Sequence, residues 1–123
     1  MTNTEICAAL FSAFASGDDD QARALCAPEL VALQNGVAMD LDALLQMSRV
    51  VRAAVTNFRY EAAVRSATET GFVEEHAVRG TLPDGSELDL AACVVGDVRD
   101  GRVVALREYL DSAAAAGLLK ALS

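Results

Sequence analysis

With 123 residues, 53% of them hydrophobic, the chain can fill one core and is too short for two domains of ordinary size, so residues 1–123 are expected to form a single domain. Its 18 acidic against 10 basic side chains give a formal charge of -8, which argues against nucleic acid, because a phosphate-binding surface needs clustered Lys and Arg. Cys7, Cys26 and Cys93 are odd in number and lack CxxC or Cys/His spacing, and a single histidine cannot build a histidine-rich site, so neither metal nor cofactor is expected.

The N-terminus lacks the basic residues and long apolar run of a signal peptide. Charges interrupt every apolar stretch before the roughly 20 residues that a membrane span requires. A cytoplasmic protein with free thiols and no membrane contact is the expectation. Ile6, Leu10, Phe11, Ala13 and Phe14 then recur at helical spacing, Thr2 with Glu5 has the capping-box pattern, and Gly17 is a natural stop. Asp18 with Gln21 repeats the box and predicts a second short helix to Ala27, ended by Pro28. Residues 29–34 form a short strand candidate closed by the Asn35-Gly36 turn. Asp40 can cap a third helix carrying Leu41, Leu44, Leu45, Ser48, Val51 and Val55 on one face.

After Asn57 the period changes to two, predicting strands over 58–68, 72–82, 87–98 and 102–110. Turns at 69–71, at Pro83-Asp84-Gly85 and at Asp100-Gly101 join them, the last being the strongest hairpin signal in the chain. Asp111 can cap an alanine-rich final helix holding Leu118, Leu119 and Leu122. Three helices ahead of a hairpin-connected antiparallel sheet predict an α+β fold, and a curved sheet folded over the helices leaves a cavity between them.

The Ser16-Gly17-Asp18 break, the Ala27-Pro28-Glu29 strand entry and the closing Asp100-Gly101-Arg102-Val103-Val104 through Arg107-Glu108-Tyr109-Leu110-Asp111 resemble the SnoaL-like branch of the nuclear transport factor 2-like superfamily. The resemblance covers nearly the whole chain in element order. It implies a cone-like curved antiparallel sheet wrapped over three N-terminal helices, with a short C-terminal helix. It also implies a homodimer built on the convex sheet face and a small apolar organic ligand. Activity does not follow from the fold, since the superfamily includes ketosteroid isomerases, polyketide cyclases, epoxide hydrolases, dehydratases and proteins that only bind.

Ketosteroid isomerases use an aspartate base with a tyrosine and a protonated aspartic acid as oxyanion donors. Aligned through Gly17-Asp18, this chain puts Gln34 at the base and Leu10 at the tyrosine. Counting back from Gly101 puts Cys93 at the second aspartate. An amide cannot abstract a proton and leucine cannot donate a hydrogen bond, which argues against steroid isomerisation. Limonene-type epoxide hydrolases resemble the C-terminal half more closely. Against their pattern Glu108 keeps one catalytic carboxylate, Ala77 replaces the other, Glu75 replaces an arginine, and Asn35 is kept while Leu33 replaces a tyrosine.

That alignment turns Glu75, Ala77, Arg79 and Thr81 toward the cavity from one strand, and Leu106, Glu108 and Leu110 from the last. The expected catalytic set is therefore Glu108 and Glu75 with Arg79, two carboxylates dividing acid and base roles. Asn35, Gln34, Leu10, Cys93, Leu106, Leu110 and His76 are the expected substrate contacts. A slip of one residue is the open alternative: it makes Glu75 and Arg79 a surface ion pair and brings Phe72, Glu74, His76 and Val78 inward as a more apolar face. Two functions remain from this reading. One is a cofactor-free proton-transfer enzyme of isomerase, cyclase, dehydratase or epoxide-hydrolase type on a small apolar metabolite. The other is a non-catalytic ligand-binding or dimerisation module.

Overall fold

Four side-chain acceptors start the four helices of the computed structural model, which describes residues 1–123. Thr2 and Glu5 close a reciprocal capping box on α1 (Asn3–Ser16), Asp18 caps α2 (Asp19–Leu25), Asp40 caps α3 (Leu41–Ala54) and Asp111 caps α4 (Ser112–Leu122). Gly17, at φ 76°, takes the left-handed conformation that ends α1. No helix is long and apolar enough to cross a membrane.

The strands are β1 (Cys26–Gln34), β2 (Val37–Asp40), β3 (Thr56–Ala67), β4 (Gly71–Thr81), β5 (Glu87–Arg99) and β6 (Arg102–Leu110). They form one sheet in the order β2-β1-β6-β5-β4-β3, so the α+β architecture is as expected. In one detail it differs: β1 runs parallel to β6, and the sheet is mixed. β2 was not foreseen, and it pairs back on β1 across the Asn35-Gly36 turn. Pro28, expected to end α2, lies inside β1 instead. The ladder to β6 is irregular between Cys26 and Val31, and a residue without an N–H is tolerated there.

β4 and β5 pair without interruption from Gly71↔Asp97 to Thr81↔Glu87, which fixes the faces of the central sheet. Phe72, Glu74, His76 and Val78 lie opposite Gly96, Val94, Ala92 and Leu90, all buried beneath the helices. Phe72, Leu10, Leu30, Leu45, Val94 and Val103 are among the core side chains with under 2% exposure. β3 carries a bulge at Ala62, whose φ is 56°, and the register to β4 shifts between Glu61 and Val64. The extra residue restores the inward face beyond it, so Tyr60 pairs with Val78 before the bulge and Arg65 with Glu74 after it.

Candidate functional site

Between the sheet, α1, α3 and α4 lies a cavity of about 380 Å³. Sixteen of its twenty lining residues are hydrophobic, which selects an apolar occupant. Phe11 and Phe14 enter from α1, Met47 and Val51 from α3, Phe58 and Tyr60 from β3, and Leu118 and Leu122 from α4. Gln34, Asn35, Ser48 and Glu108 are the polar residues of the wall.

Alternation along β6 sends Leu106, Glu108 and Leu110 inward and leaves Arg107 and Tyr109 outside, where Arg107 pairs with Asp97 at 2.8 Å. Gln34, in register with Glu108 on the parallel neighbour, donates from Nε2 to Glu108 Oε1 at 2.8 Å. Burial pushes the Glu108 carboxyl above its ordinary value, against the opposing pull of the Gln34 hydrogen bond. Its acid form therefore persists to higher pH than that of an exposed glutamate. Asn35, at φ 46°, is occupied otherwise: its Oδ1 accepts from Leu110 N at 2.8 Å and its Nδ2 donates to Leu110 O at 3.4 Å. The amide prolongs the β1–β6 pairing by one residue and is committed to the backbone.

Tyr60 packs edge-on against Phe11 and Phe58, each at 5.2 Å between ring centres. Burial raises its hydroxyl pKa, and the negative charges of Glu108 and Glu74 add to the rise, so it stays a neutral phenol. Behind it lies a charged cluster. Glu74 is 1% exposed and His76 is 5% exposed. His76 Nδ1 lies 2.6 Å from Glu74 Oε2, while Glu74 Oε1 accepts from Arg65 Nε at 2.7 Å and from Cys7 Sγ at 3.6 Å. Burial works to raise the Glu74 pKa, but the hydrogen bonds from His76 and Arg65 and the charge of Arg65 together hold it below its ordinary value. Cys7 is a buried thiol pushed up to about 12 by burial and by Glu74.

Of the residues expected from the sequence, Glu108, Gln34, Asn35 and Leu110 share the cavity wall. Glu75 and Arg79 do not. The slipped register is the one formed, leaving Glu75 exposed on the outer face and Arg79 there beside Asp89 at 3.3 Å. The reason is burial: the expected register would put Phe72, now 0% exposed, and Val78 into water. Cys93 lies on that outer face between Glu75 and Tyr109, and not in the cavity. Leu10 is a core side chain rather than a wall residue, and Leu106 borders only a small void of about 20 Å³ next to Glu108. His76 faces inward but sits behind Phe11 and Tyr60. Tyr60, whose hydroxyl could serve a ligand but whose direction alternation alone leaves open, lines the cavity, as do Met39 and Met47, for which packing is the expectation. No three His, Cys, Asp or Glu side chains converge as metal ligands.

The family model for the SnoaL-like domain matches residues 7–106. Among solved structures, a candidate polyketide cyclase from Xanthomonas campestris pv. campestris superposes with a TM-score of 0.80 at 21% identity, covering 98% of this chain and 96% of that one. IdmH, a candidate polyketide cyclase from Streptomyces antibioticus, gives 0.78 at 22% identity over 98% and 99% of the two chains. PrhC from Penicillium brasilianum gives 0.83 at 14% identity over 98% and 87%. At such identities the likeness is one of fold. No curated protein is significantly similar in sequence.

Proposed function

The chain belongs to the SnoaL-like domain family, and within it we propose a cofactor-free proton-transfer enzyme of isomerase, cyclase or dehydratase type, acting on a small, mostly apolar carbonyl compound. The observation that carries this reading is Glu108: a carboxyl group with a raised pKa, steadied by Gln34, in the wall of an otherwise apolar cavity. A group of that kind donates to a carbonyl oxygen as the acid and withdraws a proton as the carboxylate, and such transfer contributes typically about 10²–10⁴-fold to a rate. The neutral Tyr60 is a second donor for the same oxygen. Fold neighbours described as candidate polyketide cyclases favour an enolisable substrate.

Glu108→Gln preserves volume and removes the titratable proton. Deuterium exchange at the α-carbon of a panel of enolisable ketones, followed by NMR, is expected to fall by about 100-fold or more in the variant. Wild-type exchange that survives the substitution undiminished would overturn the assignment.

The same reading extends to assembly. Val31, Val64 and Tyr109 stand 51%, 67% and 55% exposed on the outer sheet face, and a homodimer formed through them is expected. Sedimentation equilibrium tests this: a dimer that dissociates in Tyr109→Glu supports it, and a monomeric wild type at high micromolar concentration rules it out.

A further inference from the structure

We infer that His76 is a second reactive contact of the cavity, its Nε2 lone pair accepting a hydrogen bond or a proton from a hydroxyl or enolisable group at the inner end of an apolar ring compound. The inference rests on the ligand reading above for the cavity, but on different atoms. Every group within reach of Glu74 is a donor: Arg65 Nε, Cys7 Sγ and His76 Nδ1. Glu74 therefore acts as a carboxylate acceptor, and the network assigns the imidazole hydrogen to Nδ1. In the neutral imidazole the lone pair is then on Nε2.

That nitrogen is the only buried side-chain nitrogen or oxygen in the protein without a hydrogen-bond partner. An orphaned buried acceptor is destabilising, and a bound donor would satisfy it. Phe11 and Tyr60 flank the imidazole at 4.9 Å and 4.7 Å between ring centres, and both are also cavity walls. The imidazole thus packs directly behind two wall residues, and the proposed contact requires Phe11 or Tyr60 to turn aside. The charged and titratable groups that face it are Glu74 from its own strand, Arg65 and Tyr60 from β3, Cys7 from α1 and Glu108 from β6.

The two reactive groups stand on strands separated by β5 and offset by two residues along them, about 12 Å apart at the backbone, so a substrate fits between them. With a ketone, the α C–H bond breaks and its proton moves to Nε2, while the acid form of Glu108 passes a proton to the carbonyl oxygen. The products are an enol, an imidazolium held by Glu74, and a Glu108 carboxylate. Return of the imidazolium proton to the α-carbon, and of the enol proton to Glu108, completes a cycle of α-proton exchange without a co-reactant.

His76 is the only histidine in the chain, so imidazole ¹⁵N NMR reports this side chain alone. The probes are 2-naphthol and naphthalene, which differ by one hydroxyl donor. Both are expected to bind, 2-naphthol several-fold more tightly. 2-Naphthol should move the Nε2 resonance far more than naphthalene does, in wild type and in Glu108→Gln alike. If 2-naphthol binds and Nε2 stays where it was, or moves only while Glu108 is present, the His76 contact is overturned and the cavity reading stands. If neither compound binds, both are overturned.

Discussion

Glu74 and Glu108 show how two carboxylates on one sheet face acquire opposite characters. Donors surround Glu74, whereas Glu108 has apolar neighbours and a single amide. Their effects on stability should therefore run in opposite senses with pH. The folded pKa of Glu108 is raised above about 4.5, so its burial is harmless while it is protonated and costs stability as pH rises through the folded value. Glu108→Gln is accordingly expected to match wild type in acid and exceed it at neutral and alkaline pH. The folded pKa of Glu74 is lowered, so its contribution is present above about 4.5 and lost as pH falls through the folded value. Glu74→Gln should destabilise by about 1–3 kcal/mol near neutrality, the cost of leaving buried donors poorly paired, and by less in acid. Urea unfolding of the three proteins across pH decides it. Curves for the two variants that run parallel to wild type would show that neither carboxyl is perturbed by folding.

At the scale of elements, the close meeting of β4 and β5 depends on one missing side chain. A Cβ at Gly96 would lie 2.2 Å from Phe72 Cζ, and Phe72 is fully buried. Gly96→Ala is expected to cost about 1–3 kcal/mol through overpacking. Combined with Phe72→Leu, it should cost clearly less than the sum of the two single changes, since the smaller side chain makes room. Additive costs in denaturant unfolding would show that the two residues are not coupled. What could be read from the sequence follows the range of the interactions. Thr2, Asp18, Asp40 and Asp111 act within their own first turns, so the helix starts were legible from a few neighbours. The parallel pairing of β1 with β6 joins residues about 74 positions apart, as Gln34 and Glu108 are, and no local pattern carries it. The bulge at Ala62 has no glycine to announce it, yet it aims Arg65 at Glu74. Glu108 emerged only through resemblance. The Glu74–His76 pair was visible as one of two faces of β4, and Phe72 and Val78 decided between them by their burial.

For the molecule as a whole, the cavity and its cover form one thermodynamic unit. α4 has no buried residue; Leu118 and Leu122 contribute to the cavity wall, as does Leu119 with the part of its surface that is not exposed. The helix is anchored by the Asp111 cap, whose Oδ1 accepts from Ala113 N at 3.0 Å, and by packing of Ala114, Ala115 and Leu118 on the cluster of Val55, Val78, Leu88 and Leu90. Little else holds it, so α4 is the element whose order should depend most on what fills the space beneath. An apolar occupant gives its leucines a surface to bury against, and binding is linked to the stability of the whole fold. At a hundred times its Kd a ligand should add about 2.7 kcal/mol, or about 10 °C in Tm for a domain of this size. Hydrogen exchange should slow most over 112–122. A polar molecule of equal volume, such as a hexose, should do neither, because it would bring hydroxyl groups against sixteen hydrophobic residues. Protection that appeared across the sheet while α4 exchanged as before would show that the helix is no part of the binding unit, and that the cavity closes without it.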